Sequence, residues 1–515
     1  MSTRPPSTPP TDQLSEPLDA RIEAAIALLD SLVADRAQLA LVSEELRQRL
    51  LISAGRVSRP ERGEARKLAK AFRKKKRATV RAEDDAVLDA TEIRALRHAP
   101  VFPTPSFAAR PIAALANGPT DGVMDATPTP TEPSHDASDD PERELHKARK
   151  CYVCKASFRH VHFFYDQLCA KCAELNWHKR QQTADCRGRV AIITGARVKI
   201  GYQAAILLLR AGAHVLVTTR FPQDAAARYA RESDYETWKE RLDIYGLDLR
   251  HTPSVEAFAK HVSETYERLD FLVHNACQTV RRPPGFYLHL MEAEKRPLAA
   301  LPAPEQRVLA RHKTLHDAAA LSQVALLEED HAPIGLLFPE GHLDQDLQQI
   351  DLRTTNSWRL TLADVPTIEL LEVQLVNAIA PFVLSARLKP LMLRHPTRYK
   401  HIVNVSAMEG QFYREHKTDR HPHTNMAKAA LNMLTRTSAP DYVQDGIHMN
   451  SVDTGWITDE DVATIAERKI EEHGFHPPLD IVDGAARIID PIFDGLNTGE
   501  HLWGLFLKDY RAVPW

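Results

Sequence analysis

The sequence predicts an α/β protein with a doubly wound parallel sheet, preceded by a small metal-binding module and a helical N-terminal region. From Gly188 onward, short apolar runs rich in β-branched residues alternate with amphipathic runs, the pattern of strands that are each followed by a helix. Between the first such run and its helix lie two glycines, Gly195 and Gly201, which are typical of a tight strand-to-helix turn. Upstream of this region lie two Cys-x-x-Cys pairs with the spacing of a metal site.

The size and composition of the chain argue against several classes of protein. Its 515 residues are 43% hydrophobic and 26% charged, so a globular core of ordinary proportions is expected. The formal net charge of -3 argues against a surface built throughout for nucleic acid. No apolar run approaches the roughly 20 residues that cross a bilayer, and the polar, Pro-rich start lacks the apolar middle of a secretory signal. We therefore expect a soluble, cytoplasmic protein without a membrane partner.

The N-terminal part divides into three predicted segments. Residues 1–17 are predicted to be disordered, and 18–98 to be helical, because apolar residues recur there at helical spacing. Within this region a basic helix at about 62–81 carries the charge cluster 73–77. Such a cluster could contact nucleic acid or an acidic protein, but no aromatic residues interleave the cluster, which favours a solvated helix face. Residues 99–145 are rich in Pro, Thr, Ala and Asp and are predicted to be a disordered linker.

Residues 146–185 are predicted to form a zinc-binding module. Its two Cys-x-x-Cys pairs, about fifteen residues apart, are Cys151 with Cys154 and Cys169 with Cys172. This spacing is typical of a structural tetrahedral zinc site, in which four thiolates leave no open position for catalysis. The alternative is a redox-active dithiol, which would need a thioredoxin-like unit that the sequence lacks. The remaining cysteines, Cys186 and Cys277, stand alone, so the pattern indicates metal binding in a reducing compartment rather than a disulfide framework.

The alternating region predicts parallel strands that end in residues suited to ligand binding. Strands are expected at 190–193, 214–218, 242–246 and 269–274, and helices at 201–211 and 254–268. The residues at or after these strand ends include Gly195, Arg220, Asp248 and Asn275. Because ligands of such sheets bind at the carboxyl ends of the strands, these residues are expected to share one crevice. The free N–H groups at the start of the first helix make a site for a phosphate or pyrophosphate.

Further motifs follow one another in an order that identifies a family. The motifs are Thr194–Gly201, Asp248-Leu249, His274-Asn275-Ala276-Cys277, Leu375-Val376-Asn377, the Val-Asn-Val-Ser run ending at Ser406, Lys-Ala-Ala-Leu-Asn-Met from Lys428, and Asn450–Ile457. Together they resemble the short-chain dehydrogenase/reductase family. The resemblance covers about 188–510, within a predicted Rossmann-type domain of 186–515 that carries an insertion at about 281–365.

The resemblance implies a bound nicotinamide dinucleotide. The cofactor-binding residues that it implies are Gly195, Arg197, Lys199, Ile200, Gly201, Arg220, Asp248, Leu249, Asn275, Ala276, Lys428, Gly455 and Ile457. An acidic residue after the second strand would bind the ribose 2′-hydroxyl, whereas this chain has Arg220 there and Arg197 in the glycine-rich loop. Two guanidinium groups suit a 2′-phosphate, so NADP(H) is predicted rather than NAD(H). Lys199 replaces a loop glycine of the family, and it either disturbs the turn or offers an ammonium group to the pyrophosphate.

The chemistry implied by the resemblance is hydride transfer between nicotinamide and the carbonyl or alcohol carbon of a small molecule. Ser406 would orient the substrate oxygen, Lys428 would hold the ribose and tune the acid, and Asn377 would hold a proton-relay water. The family's tyrosine acid stands four residues before the lysine, where this chain has Thr424, whose hydroxyl is too weak an acid. Either Tyr413 supplies the proton, or the chemistry is lost and the protein is a dinucleotide-binding scaffold or redox sensor. Retention of the serine, lysine and asparagine favours the first interpretation.

The insertion is predicted to be helical at 297–327 and irregular at 328–347. It emerges beside the nicotinamide end of the sheet, where it could form a lid over the substrate. The alternatives are a dimer surface, a contact with the zinc module, or a decorated surface. Many relatives pair through helices that flank the sheet, so a homo-oligomer is compatible with the resemblance, while the residues leave the oligomeric state open.

Overall fold

The computed structural model of the chain describes residues 17–105, 143–310, 317–331, 334–413, 417–474 and 476–515. The predicted disordered start lies, apart from Pro17, outside these ranges, as do residues 106–142 of the predicted linker. The chain divides into two compact units, 1–83 and 84–515.

The first unit contains the helices that the apolar spacing predicts. They are α1 (Leu18–Ala34), α2 (Glu44–Ser58) and the greater part of α3 (Arg62–Asp89). The side chain of Ser43 accepts a hydrogen bond from the Leu46 amide, and two glutamates lie in the first turn, so α2 begins with a favourable cap and charge. The basic helix extends beyond the predicted end near residue 81, because neither Gly nor Pro occurs between residue 81 and Asp89.

The cysteine-rich module opens the second unit. Its elements are α4 (Glu92–Arg97), β1 (Glu144–Lys150), β2 (Ser157–His160) and α5 (Ala170–Arg180). β1 and β2 pair as an antiparallel hairpin, the first Cys-x-x-Cys pair lies in its connection, and Cys169 is the N-cap residue of α5. An apolar cluster that includes Phe158, Phe164 and Tyr165 fills the interior of this module.

The remaining chain forms an eight-stranded sheet with helices on both faces. The strands are β3 (Val190–Thr194), β4 (His214–Thr219), β5 (Leu242–Gly246), β6 (Phe271–His274), β7 (Lys400–Ser406), β8 (Ile447–Asp453), β9 (Phe506–Lys508) and β10 (Arg511–Val513). The helices are α6 (Lys199–Arg210), α7 (Pro222–Tyr229), α8 (Tyr235–Trp238), α9 (Thr252–Thr265), α10 (Leu288–Glu294), α11 (Ala303–Val308), α12 (Ala318–Leu321), α13 (Ile334–Leu337), α14 (Thr367–Gln374), α15 (Ala380–Arg394), α16 (Pro422–Tyr442), α17 (Ala463–His473) and α18 (Ile481–Thr498).

The strand order confirms the predicted doubly wound architecture. The order is β10-β9-β8-β7-β6-β3-β4-β5, and every pair is parallel except β9 with β10. The order in which successive strands are added to the sheet reverses at β3: β4 and β5 lie on one side of it and β6 on the other. In folds of this kind a crevice opens at this point. One face of the sheet packs against α6 and α18 and the other against α9 and α15, so the central strands are apolar on both faces.

The structure corrects two expectations about the chain outside the sheet. The segment 297–327, predicted to be helical, is helical only in short pieces: α11, α12 and a short 3₁₀ turn lie in its described part, because Pro297, Pro302 and Pro304 interrupt helical hydrogen bonding. The predicted loop at 328–347 contains the short helix α13.

The expectation that no segment is long and apolar enough to cross a bilayer is also corrected. By length and composition, the helical segment Thr367–Arg394 meets that test among the described residues, with 44% of its most apolar window buried within the protein. Leu384, Leu388 and Leu391 of this segment are fully buried against the sheet. The apolar residues of this segment therefore contribute to the buried core of the protein.

Candidate functional site

A cavity of about 380 Å³ opens at the carboxyl ends of β3, β4, β5 and β6. The residues predicted to bind the dinucleotide along these strand ends line it together: Gly195, Arg197, Lys199, Ile200, Gly201, Arg220, Asp248, Leu249, Asn275 and Ala276. These residues come from four separate loops, so their meeting is a result of the strand order rather than of sequence proximity. The insertion also contributes to the lining through Arg282, Phe286, Tyr287 and Gln348.

The glycine-rich turn is held by Asn275, which follows β6. The Asn275 side-chain amide donates hydrogen bonds to the carbonyl oxygens of Thr194 (3.1 Å) and Gly195 (3.0 Å). A Cβ atom at Gly201 would lie 2.3 Å from that amide nitrogen and 2.5 Å from the Gly195 oxygen, so only glycine fits this position. The N-cap residue of α6, Val198, provides no side-chain hydrogen bond to the first N–H groups of the helix, which have no partner within the helix itself.

Lys199 retains the backbone conformation expected of a glycine. Its φ angle of 56° lies in the left-handed region, so the tight turn persists despite the substitution. Burial opposes the charged form of Lys199, but the carboxylates of Glu460, Asp346 and Asp344 outweigh it and raise the pKa of the ammonium group. The ammonium therefore stays charged at the end of the cavity formed by the glycine-rich turn.

The two arginines predicted to select the cofactor differ in their partners. Arg197 is buried and forms an ion pair with Asp224 at 2.6 Å, while burial lowers the pKa of its guanidinium. Arg220 donates a hydrogen bond to the Tyr287 hydroxyl at 2.7 Å and lies 4.5 Å from the centre of that ring. Within the described ranges, Arg220 forms no ion pair with a carboxylate. Arg220 is therefore the cation that is better placed to receive a phosphate.

Asp248 belongs to a buried charge network that the sequence did not reveal. Burial would raise the pKa of its carboxyl group, but hydrogen bonds and charge from Arg250 outweigh burial and lower it. Arg250 lies 2.7 Å from Asp248 and 2.9 Å from Glu372, which is on α14. The network fixes the loop after β5 to the helix that also carries Asn377. Arg250 and Glu372 also line the cavity. No sequence motif indicated this pair, because its two members are more than a hundred residues apart.

Asn377 lies in a π-helical turn, Leu375–Ile379, between α14 and α15. Its side-chain oxygen accepts from the Gln278 amide at 2.8 Å, and its side-chain nitrogen donates to the Gln278 carbonyl at 3.2 Å. This pair of bonds holds the segment that follows β6. Single π turns inside helices are frequent at functional sites, because they place one side chain out of the normal helical register.

Two of the predicted catalytic residues place their polar groups at the end of β7, Ser406 as its last residue and Lys428 through its contact with Val405. The Ser406 hydroxyl is buried and has no hydrogen-bond partner among the described residues. The Lys428 ammonium donates to the carbonyl oxygen of the preceding Val405 at 2.8 Å. Thr424, one turn before Lys428 on α16, is also buried with an unpaired hydroxyl. Two buried hydroxyls without partners next to a lysine are consistent with a site that completes its hydrogen bonds with a ligand.

Tyr413 is not brought into this group by any contact. Its side chain is 48% exposed, and it forms no hydrogen bond or ring contact with other residues that the structure describes. The neighbouring Gln411 is fully buried, and neither its oxygen nor its nitrogen has a hydrogen-bond partner in the described chain. Sequence reasoning missed Gln411, since a single glutamine in a loop carries no signal.

The insertion also covers the start of α16. The His421 ring stacks on Trp358 with ring centroids 4.0 Å apart and an interplanar angle of 6°. The His421 amide donates to the Leu360 carbonyl at 2.8 Å, which fixes the insertion to the helix that carries Lys428. Insertion residues thus line the cavity and also contact the start of α16.

The loop after β8 contacts the cysteine-rich module. Gly455 has a φ angle of 79°, and the amide of Trp456 donates to the Tyr152 hydroxyl at 3.0 Å. Ile457 is buried in the same apolar cluster as the module's core. The loop predicted to close over the nicotinamide is therefore supported by the segment between the first two cysteines.

The four predicted metal-ligating cysteines converge in space. Their sulfur atoms all lie within 4.8 Å of one another, and those of Cys154 and Cys169 are 3.6 Å apart. None of the four is in a disulfide. This arrangement suits four thiolates around one metal ion.

Comparison with known proteins identifies two family matches that flank the insertion. A short chain dehydrogenase model matches residues 189–291, and an enoyl-(acyl carrier protein) reductase model matches residues 354–477. An uncharacterized protein of Acanthamoeba polyphaga mimivirus is 30% identical over 363 residues, covering 67% of this chain and 71% of the viral protein. Dehydrogenase/reductase SDR family member 13 of Bos taurus is 38% identical over 106 residues, which cover 19% of this chain and only 27% of the bovine protein.

The chain is also similar to solved structures at low sequence identity. The crystal structure of a short chain dehydrogenase from Burkholderia cenocepacia in complex with NADP is 18% identical, with a TM-score of 0.41. The match covers 63% of this chain and 97% of that one.

Proposed function

The chain belongs to the short-chain dehydrogenase/reductase family, and on this premise we propose that it is an NADP(H)-dependent oxidoreductase that transfers a hydride between nicotinamide and a carbonyl or alcohol substrate. The observation that carries the proposal is the cavity at the carboxyl ends of β3 to β6, where the start of α6 lacks a side-chain cap. Free helical N–H groups with a positive dipole end bind phosphate oxygens.

The residues present fit a dinucleotide. The close approach of Gly201 to Asn275 packs the glycine-rich turn tightly against the loop after β6, and this tight turn places the start of α6 at the cavity, as a pyrophosphate at a helix start requires. The Lys199 ammonium adds a positive charge at the same end. Gly195, Ile200 and Gly201 would hold the pyrophosphate, and Asp248 and Leu249 would contact the adenine.

The choice of NADP(H) rests on Arg220. Its guanidinium lies at the end of β4, where the adenosine ribose would bind, and its hydrogen-bond partner is the Tyr287 hydroxyl rather than a carboxylate. A 2′-phosphate would give this charge an anionic partner. Arg197 contributes less to this choice, because Asp224 already neutralises it.

The reacting centre would lie between the end of β7 and the loop after β8. When bound, the nicotinamide supplies or accepts the hydride. The Ser406 hydroxyl donates a hydrogen bond to the substrate oxygen, which polarises the carbonyl. The Lys428 ammonium, held next to Ser406 by the Val405 carbonyl, binds the ribose and stabilises negative charge that develops nearby. Asn377 holds the backbone of Gln278 and positions the water that relays the proton.

Proton transfer is assigned to the phenol of Tyr413, in place of the tyrosine that Thr424 replaces. This assignment requires the half-exposed Tyr413 to fold over the end of β7 when substrate binds. Its exposure and lack of hydrogen-bond partners in the described chain favour a second candidate function, a dinucleotide-binding scaffold or redox sensor without turnover. The two candidates share the cofactor site and differ in the chemistry at Ser406.

The cysteine cluster is proposed to hold a structural zinc ion. Four thiolates complete a tetrahedral shell and leave no position for a substrate, so the metal would stabilise the module rather than react. The small apolar core of this module supports the same view, because it is too limited to fold without a cross-link.

The test is NADPH oxidation across a panel of aldehydes and ketones by the intact chain. We expect turnover with at least one carbonyl class, and a loss of about 10²–10⁴-fold in kcat for Tyr413→Phe if its phenol is the acid. Lys428→Ala should lower kcat and weaken cofactor binding together. Tyr399→Phe is the matched control, because Tyr399 is 49% exposed and lies outside the site.

Each outcome separates the candidates. Tight NADPH binding without oxidation of any carbonyl would overturn the enzyme and support the scaffold. Turnover that survives Tyr413→Phe unchanged would reject Tyr413 as the acid while retaining the oxidoreductase. Failure to bind either dinucleotide would reject both candidates.

A further inference from the structure

Three histidines that the proposed reaction does not use meet at the amino ends of the sheet. His401 is the second residue of β7, His448 is the second residue of β8, and His501 follows α18. β7 and β8 run parallel with His401 directly opposite His448, so the two imidazoles are cross-strand neighbours. The cofactor cavity lies at the other ends of the strands, and this cluster is therefore separate from it.

The ring nitrogens are close enough to share one ion. One nitrogen from each of the three imidazoles lies within 4.8 Å of the others. His401 Nε2 and His501 Nδ1 are 2.9 Å apart, and the rings of His448 and His501 stack with centroids 4.8 Å apart. His401 is fully buried, while the other two rings are half-buried, so the cluster is reached from solvent on one side.

We propose that His401, His448 and His501 form a binding site for a divalent late first-row transition metal ion such as Zn²⁺, Co²⁺ or Ni²⁺. Imidazole nitrogen is a preferred ligand of these ions, and three such ligands leave a fourth position for water. The ion would join the starts of two central strands to the segment that follows α18.

The surroundings of His448 resemble those of a metal ligand. Its Nδ1 lies 3.1 Å from the Lys400 carbonyl oxygen, so the ring donates its N–H there and keeps its lone pair on Nε2. A hydrogen bond from the second ring nitrogen to a backbone carbonyl is the usual way in which a metal-binding imidazole is oriented.

The third ring needs a glycine in the neighbouring helix. A Cβ atom at Gly495 of α18 would lie 2.5 Å from His501 Nδ1 and 3.3 Å from His401 Cε1. Glycine in the middle of a helix is unfavourable, yet here it provides the space in which the two rings meet. The choice of glycine at position 495 is thus explained by the histidine cluster rather than by helix formation.

The charge state of the cluster suits metal binding. Burial lowers the pKa of His401 well below its usual value, with further lowering by His448, His501 and Arg189. Burial, His448 and Arg189 lower the pKa of His501 to about 4, and burial also lowers the pKa of His448. A lowered pKa favours the neutral imidazole, which is the form that ligates a metal ion. The positive charge of Arg189 repels a cation, so the affinity of the cluster for the metal ion is expected to be moderate.

The test is equilibrium dialysis of the zinc-loaded full-length chain against Co²⁺, with the visible spectrum of the bound ion as readout. We expect one equivalent of Co²⁺ beyond the zinc content, with weak visible bands and without the strong near-ultraviolet absorption of cobalt thiolates. His448→Gln and His501→Gln, whose rings are half-buried, should each weaken Co²⁺ binding at least tenfold. His395→Gln, another half-buried histidine, is the matched control and should bind as the native chain does.

NADPH binding measured on the same variants reports whether they remain folded, because the cofactor cavity lies at the far end of the strands. Absence of a Co²⁺ equivalent beyond the cysteine site would overturn the proposal. Binding that is the same in His448→Gln, His501→Gln and the native chain would overturn it too. Strong thiolate absorption would assign the bound cobalt to the cysteines and would likewise reject the histidine site.

Discussion

The guanidinium of Arg220 lies over the ring of Tyr287, and its hydrogen-bond partner is that residue's hydroxyl. We predict that Arg220→Asp lowers NADPH affinity by about 10–100-fold, because a charge-assisted hydrogen bond to phosphate is worth roughly 1.5–3 kcal/mol and a carboxylate would repel the phosphate. NADH affinity should stay the same or rise, since aspartate can accept from the ribose 2′-hydroxyl. Titration of both nucleotides by calorimetry measures the change.

Arg436→Asp is the control for this experiment, because Arg436 is exposed on α16 and the variant makes the same change of charge away from the cavity. An unchanged ratio of NADPH to NADH affinity in Arg220→Asp would contradict the assignment of Arg220 to the 2′-phosphate. If both variants lower NADPH affinity equally, the loss would come from long-range charge rather than from a direct contact.

Glu294 connects α10 of the insertion to the start of α7. Its carboxylate accepts from the Asp224 amide at 2.9 Å and the Gln223 amide at 3.2 Å. Burial nevertheless raises the pKa of Glu294 to about 7. Because the folded protein holds this proton more tightly than the unfolded chain, Glu294 favours folding at low pH, and this contribution is lost as pH rises from about 4.5 to about 7.

We predict that Glu294→Gln removes this pH dependence. The difference in free energy of unfolding between variant and native protein should shift in favour of the variant by up to about 3 kcal/mol between pH 5 and pH 8. Urea denaturation at the two pH values measures it. Glu292→Gln, an exposed glutamate on the same helix, should show no such shift, and an equal shift in both variants would refute the role of Glu294.

The cysteine cluster gives a prediction for the module built on β1, β2 and α5. Cys154→Ser should release one equivalent of zinc and destabilise the second unit by roughly 4 kcal/mol or more, because loss of a structural metal is among the largest single-site effects. Zinc content by elemental analysis and the urea midpoint test this. Cys277→Ser is the matched control, since both thiols are exposed, and equal zinc content in the two variants would contradict the site.

The sheet and the residues at its strand ends were predictable because each depends on local sequence. Apolar runs, glycines and N-terminal helix signals lie within a few residues of one another, so Gly195, Gly201 and Asn275 could be assigned to one crevice before their contacts were known. The insertion could not be predicted in this way. Its prolines break the helical periodicity that the apolar residues suggested, and its contacts with Arg220 and His421 connect residues far apart in sequence. The ion pair of Arg250 with Glu372 and the histidine cluster escaped prediction for the same reason.

The cysteine-rich module and the sheet domain meet through buried polar contacts as well as apolar packing. Arg180 of α5 forms ion pairs with Asp480 at 2.5 Å and Asp483 at 3.1 Å, at the start of α18. The Tyr165 hydroxyl donates to Asp483 at 2.6 Å. Charges buried at such an interface destabilise strongly if one partner is removed, so the two parts are expected to unfold together.

One of these contacts reaches the predicted cofactor loop. The Tyr152 hydroxyl, located between the first two cysteines, accepts the Trp456 amide at 3.0 Å next to Gly455. We predict that Tyr152→Phe weakens NADPH binding about fivefold, because the loop loses a hydrogen bond worth about 1 kcal/mol while zinc content stays at one equivalent. Tyr165→Phe is the matched control: it lies in the same module but contacts α18, so it should lower the urea midpoint without changing NADPH affinity. If both phenylalanine variants bind NADPH as the native chain does, the module stabilises the fold without influencing the cofactor. If Tyr152→Phe alone loses affinity, the metal-binding module positions the loop that closes the site, and removal of zinc with a chelator should weaken NADPH binding in the native chain at least as much.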